Sequence, residues 1–502
     1  MSSRLIRAAA PFLLLLPAPA PAQSDPPITP AELRRHIDVL ASDEFEGRKP
    51  ATEGERRTTA YIVEQLRERG AEPAGEGGSW FQPVPMVERT PQGHRVTWRA
   101  RGRRLSFAQD QIGLVGRDPQ ARLRDAPVVF AGHGVRMPER GIDQLAGADV
   151  RGAMVIILHA GPEVEGFPSL AERVRTVAEA GAAAVISVSG PELRWSYVSR
   201  AYQGPIPRLE SQVVPPVLGS ISLEALQALT AATGTDLERL LNDQPGSSFR
   251  AVTLPLRVDI EARTAVRRYT TNNVLGRIRG SGSTGQWVMY LGHWDHFGIC
   301  RGEGEADRIC NGAVDNASGI AAMIEIAGRL GRQPRPARDI LFLATTVEEL
   351  GLLGAEHFAR RPTVPLTSIV AAMNLDTLAI HPAGEAVAVI GRGTPALDAQ
   401  IDAAVAAMGR RLDTDQEAAA FLERQDGWAL NRNGVPAVMV GGSFSNMTYL
   451  QNFLNGAYHG PLDNPGPGLM LDGAAEDTDL MVALGRRLAD PAVYQGPGTP
   501  AR

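Results

Sequence analysis

Between residues 263 and 490 the chain switches repeatedly between two hydrophobic rhythms. QWVMYLGH, DILFLATTV, TSIVAAMNL, EAVAVIG and PAVMVGG are short, nearly unbroken apolar runs. SGIAAMIEIAGRL, GLLGAEHFARR, ALDAQIDAAVAAMG and DTDLMVALGRRLA instead space their apolar residues three and four apart. The first rhythm suits buried strands and the second amphipathic helices, and their alternation predicts a mainly parallel sheet flanked by helices.

Upstream, ITPAELRRHIDVLAS predicts a helix capped at Thr29 with Pro30 in its first turn. ERRTTAYIVEQLRERG predicts a second, with Ala60, Ile62, Val63 and Leu66 on one side and Gly70 at its end. EFEGRKPATEGE, between them, reads as a solvated loop. From Ala126 the texture changes: APVVFAGHGV, AMVIILHA, AAAVISVSG and VVPPVLGS suit strands, and LAERVRTVAEAG a helix closed by glycine. The expected organisation is a signal peptide (1–22), an N-terminal part of the main domain (23–125), a smaller β-rich unit inserted at 126–250, the main α/β domain (251–490) and a tail (491–502).

The signal rests on Arg4 and Arg7, an apolar stretch from Ala8 to Leu16 too short to span a bilayer, and the small residues Ala20-Pro21-Ala22. No cysteine follows it to accept a lipid, so the expectation is an exported protein, periplasmic or extracellular, without integral membrane association. With 51 basic and 56 acidic side chains, a net charge of −5 and no basic run, nucleic acid is not an expected partner. In an oxidising compartment Cys300 and Cys310 are expected to form a disulfide.

Open sheets of this kind put reactive groups just beyond the carboxyl ends of their strands. Those positions hold His293, after QWVMYLG; Asp315, in NGAVDNASG, before a helix that Asn316 or Ser318 can cap; Glu348 and Glu349, after DILFLATTV; Asp376, after SIVAAMNL; and His459, in AYHGPLDN. Each alone reads as a cap or a hydrogen-bonded residue near the core. Together they concentrate negative charge that would repel itself without cations, and imidazole with carboxylate suits zinc. Adjacent side chains leaving a strand point to different sides, so one of Glu348 and Glu349 can ligate while the other faces substrate as a general base. Asp295 is placed to take the proton on the other nitrogen of His293. His296 carries no assigned role beyond lining or structure, and His133 and His159 lack partners at ligand spacing.

The ordered set GHWDH, NGAVDNASG, EELGLLG, NLD and YHGPLD resembles the two-zinc exopeptidase family of bacterial leucyl aminopeptidases, aminopeptidase Y and glutamate carboxypeptidases. EFEGR resembles that family's N-terminal portion, and residues 126–250 its inserted protease-associated domain. The resemblance implies a zinc exopeptidase fold acting on peptide substrates with two Zn2+ per chain. His293 and Asp376 would hold one, Glu349 and His459 the other, with Asp315 bridging, Glu348 as general base and Asp295 supporting His293. In DGWALNRNGVPAV, Gly427 stands where the family often has histidine, which leaves Asp426 without a defined role, and Asp463 matches a recurring acid of supporting or structural character.

The expectation is therefore an aminopeptidase. The alternatives are a glutamate carboxypeptidase-like enzyme, for which Arg424 and Arg432 are candidate carboxylate partners, a glutaminyl cyclase, and a non-catalytic binding protein retaining the fold. The absence of G-x-S-x-G and H-E-x-x-H argues against serine hydrolases and single-zinc helical proteases. Phe444, Met447, Tyr449, Phe453 and Tyr458 are candidates for an apolar pocket beside His459. The chain leaves its oligomeric state open.

Overall fold

A computed structural model describes residues 26–105, 109–162, 166–190, 193–242, 249–415 and 417–498. The expected signal peptide lies outside the described residues. Strands Trp287–His293, Asp339–Thr345, Ile369–Asn374 and Ala437–Gly441 form the parallel centre of the sheet. Ala388–Ile390 and the long strand Val252–Ile278 flank them antiparallel.

The apolar runs are unbroken because both faces are covered. Alternate residues go to opposite sides: Val288, Tyr290, Ile340 and Phe342 join the core beneath helices Pro30–Leu40, Ser318–Leu330 and Leu471–Leu488. Met289, Leu291, Leu341 and Leu343 pack with Phe358 and Leu430 on the other face. Thr29 and Glu32 form a reciprocal capping box, as the entry to the first helix predicts. In the second helix, Glu53–Glu68, Ile62, Val63 and Leu66 are buried, but Ala60 is exposed.

The sheet does not stop at the main domain. Strand Phe81–Ala100 pairs along Val252–Ile278 as a long antiparallel ribbon, and Val252–Ile278 also pairs with Gln120–Phe130. From there the sheet continues through Met154–Leu158, Ala184–Ser189, Val217–Ser222 and Ile112–Gly116. A second hydrophobic core accordingly draws residues from Val96 to Ala262, outside 126–250 on both sides. Beyond residue 490 the chain packs back: buried Tyr494 donates its hydroxyl to the Val370 carbonyl at 3.0 Å. No helix among the described residues is long and apolar enough to cross a membrane.

Candidate metal centre

Strand register brings the site together. His293 pairs with Thr345 and Leu291 with Asn374, so His293, Glu348–Glu349 and Asp376 leave the sheet at one edge. Asp315 joins them from the tight segment Ala313–Ala317. Asn316 caps the following helix, accepting from Gly319 N–H at 2.9 Å, whereas the Ser318 hydroxyl donates to the Val314 carbonyl at 2.7 Å. Three residues at this edge occupy the left-handed region, Val347 at φ +51°, Thr377 at +57° and His459 at +57°. For β-branched Val347 that conformation is strained, and it stands directly before the acidic pair.

The carboxylate of Asp315 faces two groups of donors. Its Oδ1 lies 3.2 Å from His293 Nε2, which is also 3.7 Å from Asp376 Oδ1. Its Oδ2 lies 3.4 Å from His459 Nε2, which is 3.0 Å from Glu349 Oε2. Glu348 Oε2 lies 3.9 Å from His293 Nε2, so proximity alone would also admit Glu348 beside His293 and Asp376 as a ligand. Burial raises the Asp315 carboxyl, but His293 and His459 outweigh it and leave the group below its ordinary range. Burial favours neutral His459, yet Asp315 and Glu349 push it up to about 9. For Glu348 the opposing pull of His293 is outweighed: burial, reinforced by Glu349, Asp426 and Asp376, pushes it well above an ordinary glutamate. So many acids drawn inside one buried edge, with two imidazoles among them, is the chemistry of a divalent-cation site.

The placement of Asp295 corrects an expectation. Its Oδ1 is 4.0 Å from His293 Nδ1, and the nearer acceptor, at 3.1 Å, is its own main-chain carbonyl. The chain folds back after His293 so that the carbonyl reaches the ring first. The carboxylate instead accepts Glu348 N–H at 3.1 Å and so orients the acidic pair. Burial pushes Asp295 up to about 8. His296 acquires a partner that its spacing did not reveal: Nδ1 lies 2.5 Å from Glu349 Oε1, leaving Oε2 of the same carboxylate towards His459.

Arg48 of EFEGR is the residue that the solvated-loop reading missed. Its guanidinium is fully buried and donates to main-chain carbonyls of Leu40 at 2.9 Å, Trp294 at 2.8 Å, Asn311 at 2.5 Å, Gly312 at 2.8 Å and Asp315 at 3.4 Å. One side chain thus ties the segment after His293 to the segment carrying Asp315. Burial lowers its pKa to about 10, against the pull of Asp463 and Asp315. Asp463 completes the clamp, accepting Val314 N–H at 2.8 Å and Asp315 N–H at 3.0 Å. Asp426 is buried at the same edge, accepts from the Thr345 hydroxyl, and is pushed by burial up to about 6. The only available signals for these three were the family-like segments around them.

His293, Asp315, Glu348 and Asp376 form one wall of a cavity completed by Phe421, Arg424, Met439, Phe444, Leu450 and Tyr458. Of the expected pocket residues, Phe444 and Tyr458 line it. Phe453 is buried against Tyr458, and Met447 packs on the core. Tyr449, half-buried on helix Met447–Asn455, is not among the residues that line the cavity. His133 and His159 contact the Ala160 carbonyl and the Ser187 hydroxyl, away from the acidic edge. Cys300 and Cys310 are disulfide-bonded.

The edge therefore defines an α/β protein with a buried carboxylate–imidazole cluster that could hold a metal ion. Residues 273–480 match the model of peptidase family M28. The mouse aminopeptidase NAALADL1 is 33% identical over 120 residues, 23% of this chain and 14% of that protein. A probable zinc metalloprotease of Pyrenophora teres f. teres is 33% identical over 103 residues, 20% of this chain and 22% of the relative. The chain thus matches less than a quarter of the length of either. The structure of an aminopeptidase from Aneurinibacillus sp. strain AM-1 superposes with a TM-score of 0.53 at 18% identity, covering 95% of this chain and 98% of that one, which establishes a shared fold.

Proposed function

We propose that the protein is an exported two-zinc exopeptidase that releases residues from the amino termini of peptides. The observation carrying this reading is the divided carboxylate of Asp315, with Oδ1 towards His293 and Asp376 and Oδ2 towards His459 and Glu349. The donors fit two zinc ions, one held by His293 and Asp376, the other by Glu349 and His459, with Asp315 shared.

Zinc bound there supplies Lewis acidity, lowering the pKa of a water and stabilising negative charge on the scissile carbonyl. The chain's residues do the rest. Glu348 lines the cavity and is the general base: it accepts the attacking water's proton and returns it to the departing amine, whose anion is too basic to leave. The Asp295 contact to its N–H fixes the main chain at that base. Phe421, Phe444, Leu450 and Tyr458 exclude water and receive an apolar side chain. The unit at 126–250, read as a protease-associated domain, restricts access to this edge.

A second reading, carboxy-terminal specificity, draws on Arg424. Arg432 is occupied by Glu172 and Glu356, whereas Arg424 lines the cavity with a ring contact to Phe421. Hydrolysis of leucyl-p-nitroanilide, abolished by chelator and restored by zinc, is the expected result. Peptides blocked in turn at each end decide the direction: cleavage of amino-blocked but not carboxy-blocked peptides would replace the aminopeptidase reading with the carboxypeptidase one. Absence of turnover with two zinc ions bound would remove both.

A further inference from the structure

A basic pocket lies away from the acidic edge, where strand Ile206–Leu209 pairs antiparallel with Phe81–Ala100, Ile206 opposite Arg89 and Arg208 opposite Val87. Its walls are Val115, Val214, Pro215 and Leu218, and three arginines, Arg89, Arg117 and Arg208, line it without an acid among the lining residues.

Several other guanidinium groups drawn into the fold are held by partners. Arg48 and Arg173 donate to main-chain carbonyls, Arg338 to carbonyls and to Gln286, and Arg329 to Glu32 and Glu325. Arg208 differs from these. It is partly buried, yet its side chain has no hydrogen bond and no carboxylate among the described residues. Arg89 uses Nε on the Arg117 carbonyl at 2.9 Å, and its two Nη groups have no partner there. Arg117 pairs with Asp118 at 3.2 Å and the nearby Arg268 with Glu210 at 2.9 Å, both on the exposed surface. Burial lowers the pKa of Arg89, and Arg268, Arg208 and Arg117 lower it further, with Asp118 opposing. Guanidinium groups held together against apolar walls repel one another, and an acceptor-rich anion that bridges their unused, solvent-reachable N–H donors relieves that repulsion.

We propose that the pocket bounded by Arg89, Arg117 and Arg208 binds a small oxyanion, through the Nη groups of Arg89 and the free fork of Arg208. The shared chemistry is that of a sulfate, a phosphate or a carboxylate. Leu209, the neighbour of Arg208, packs against Val347 and Leu353 on either side of the acidic pair, so the anion steadies a strand that buttresses the metal edge. The proposal does not depend on the protein being a peptidase.

The test is thermal unfolding of the zinc-loaded protein, titrated with sulfate against chloride at matched ionic strength. A saturable rise in Tm is expected, with apparent affinity at least about tenfold weaker in Arg208→Gln and Arg89→Gln, the 1.4 kcal/mol of one charge-assisted contact. Arg208→Lys keeps the charge without the fork and should fall between. Without sulfate, Arg208→Gln should be at least as stable as the parent, since an uncompensated guanidinium has been removed. An acetylated peptide and its carboxamide separate the sources: saturation by the peptide alone assigns a peptide carboxylate, and saturation by sulfate alone assigns a free oxyanion. No saturable effect of either, or one unchanged in both glutamine variants, overturns the proposal. So does a sulfate-insensitive parent with a destabilised Arg208→Gln, which would make Arg208 structural only.

Discussion

Replacing Arg48 by alanine tests how much of the metal edge depends on a residue that holds no metal. Four of its main-chain contacts are 2.9 Å or shorter and one is 3.4 Å. A buried acceptor stripped of its donor costs about 1–3 kcal/mol, so four carbonyls set an upper bound of roughly 4–12 kcal/mol. Two effects reduce it: the guanidinium's own burial no longer has to be offset, and water entering the vacated space rebonds some carbonyls. Breaking a buried charged group's network typically leaves about 3–5 kcal/mol, which is the value expected for Arg48→Ala. Arg48→Lys should lose about half of that, because an ammonium cannot span carbonyls on both sides of its fork. Urea unfolding measures the stability. Zinc titration of the folded variants should show weaker binding, since Trp294 and Asp315 are no longer tied together. A variant within about 0.5 kcal/mol of the parent, binding zinc equally well, would refute the view that Arg48 holds the edge.

Asp315→Asn should lose metal and turnover together, whereas Glu348→Gln should retain metal and lose about 100-fold or more of kcat; elemental analysis beside steady-state kinetics separates the two. His296→Ala frees Glu349 Oε1, so zinc affinity should fall about 10–100-fold with the fold intact by circular dichroism. Glu325 sits among His36, Arg69 and Arg329; burial raises its pKa, but His36 and Arg69 outweigh it and hold the carboxyl at about 2. A folded pKa below the unfolded one stabilises the protein above about pH 4.5, and the contribution disappears as pH falls towards 2. Burial also holds His36 below its ordinary pKa, so acid destabilises the fold through it with the same sign as pH falls below about 6.5. Glu325→Gln should flatten the acid limb of Tm against pH between 4.5 and 2, and an unchanged limb would show that the cluster does not couple to folding.

Much of the peptidase fold was legible in local pattern because each strand and helix there obeys a short-range rule. The parallel strands read as unbroken apolar runs because both faces are buried, and Thr29 and Glu32 announce a helix start through a contact three residues long. The long ribbon of Phe81–Ala100 on Val252–Ile278 was not legible as a pair: LPLRVDIEA alternates apolar and polar residues as a one-face-buried strand does, but its partners are more than 150 residues away and nothing local names them.

The same division runs through the site. Chemistry at strand ends pointed to His293, Asp315, Glu348, Glu349, Asp376 and His459, since residue type and position relative to a strand are local properties. What surrounds them depends on distance in space. A buried arginine and a loop arginine look alike in a sequence, so only the folded chain shows Arg48 clasping carbonyls about 250 residues away. Likewise, spacing alone could not tell whether the carboxylate or the carbonyl of Asp295 meets His293, or that His296 meets Glu349. Sequence determined which groups are present and which elements carry them; tertiary structure decided which of their atoms face one another, because that choice is set by packing between segments that share no neighbourhood along the chain.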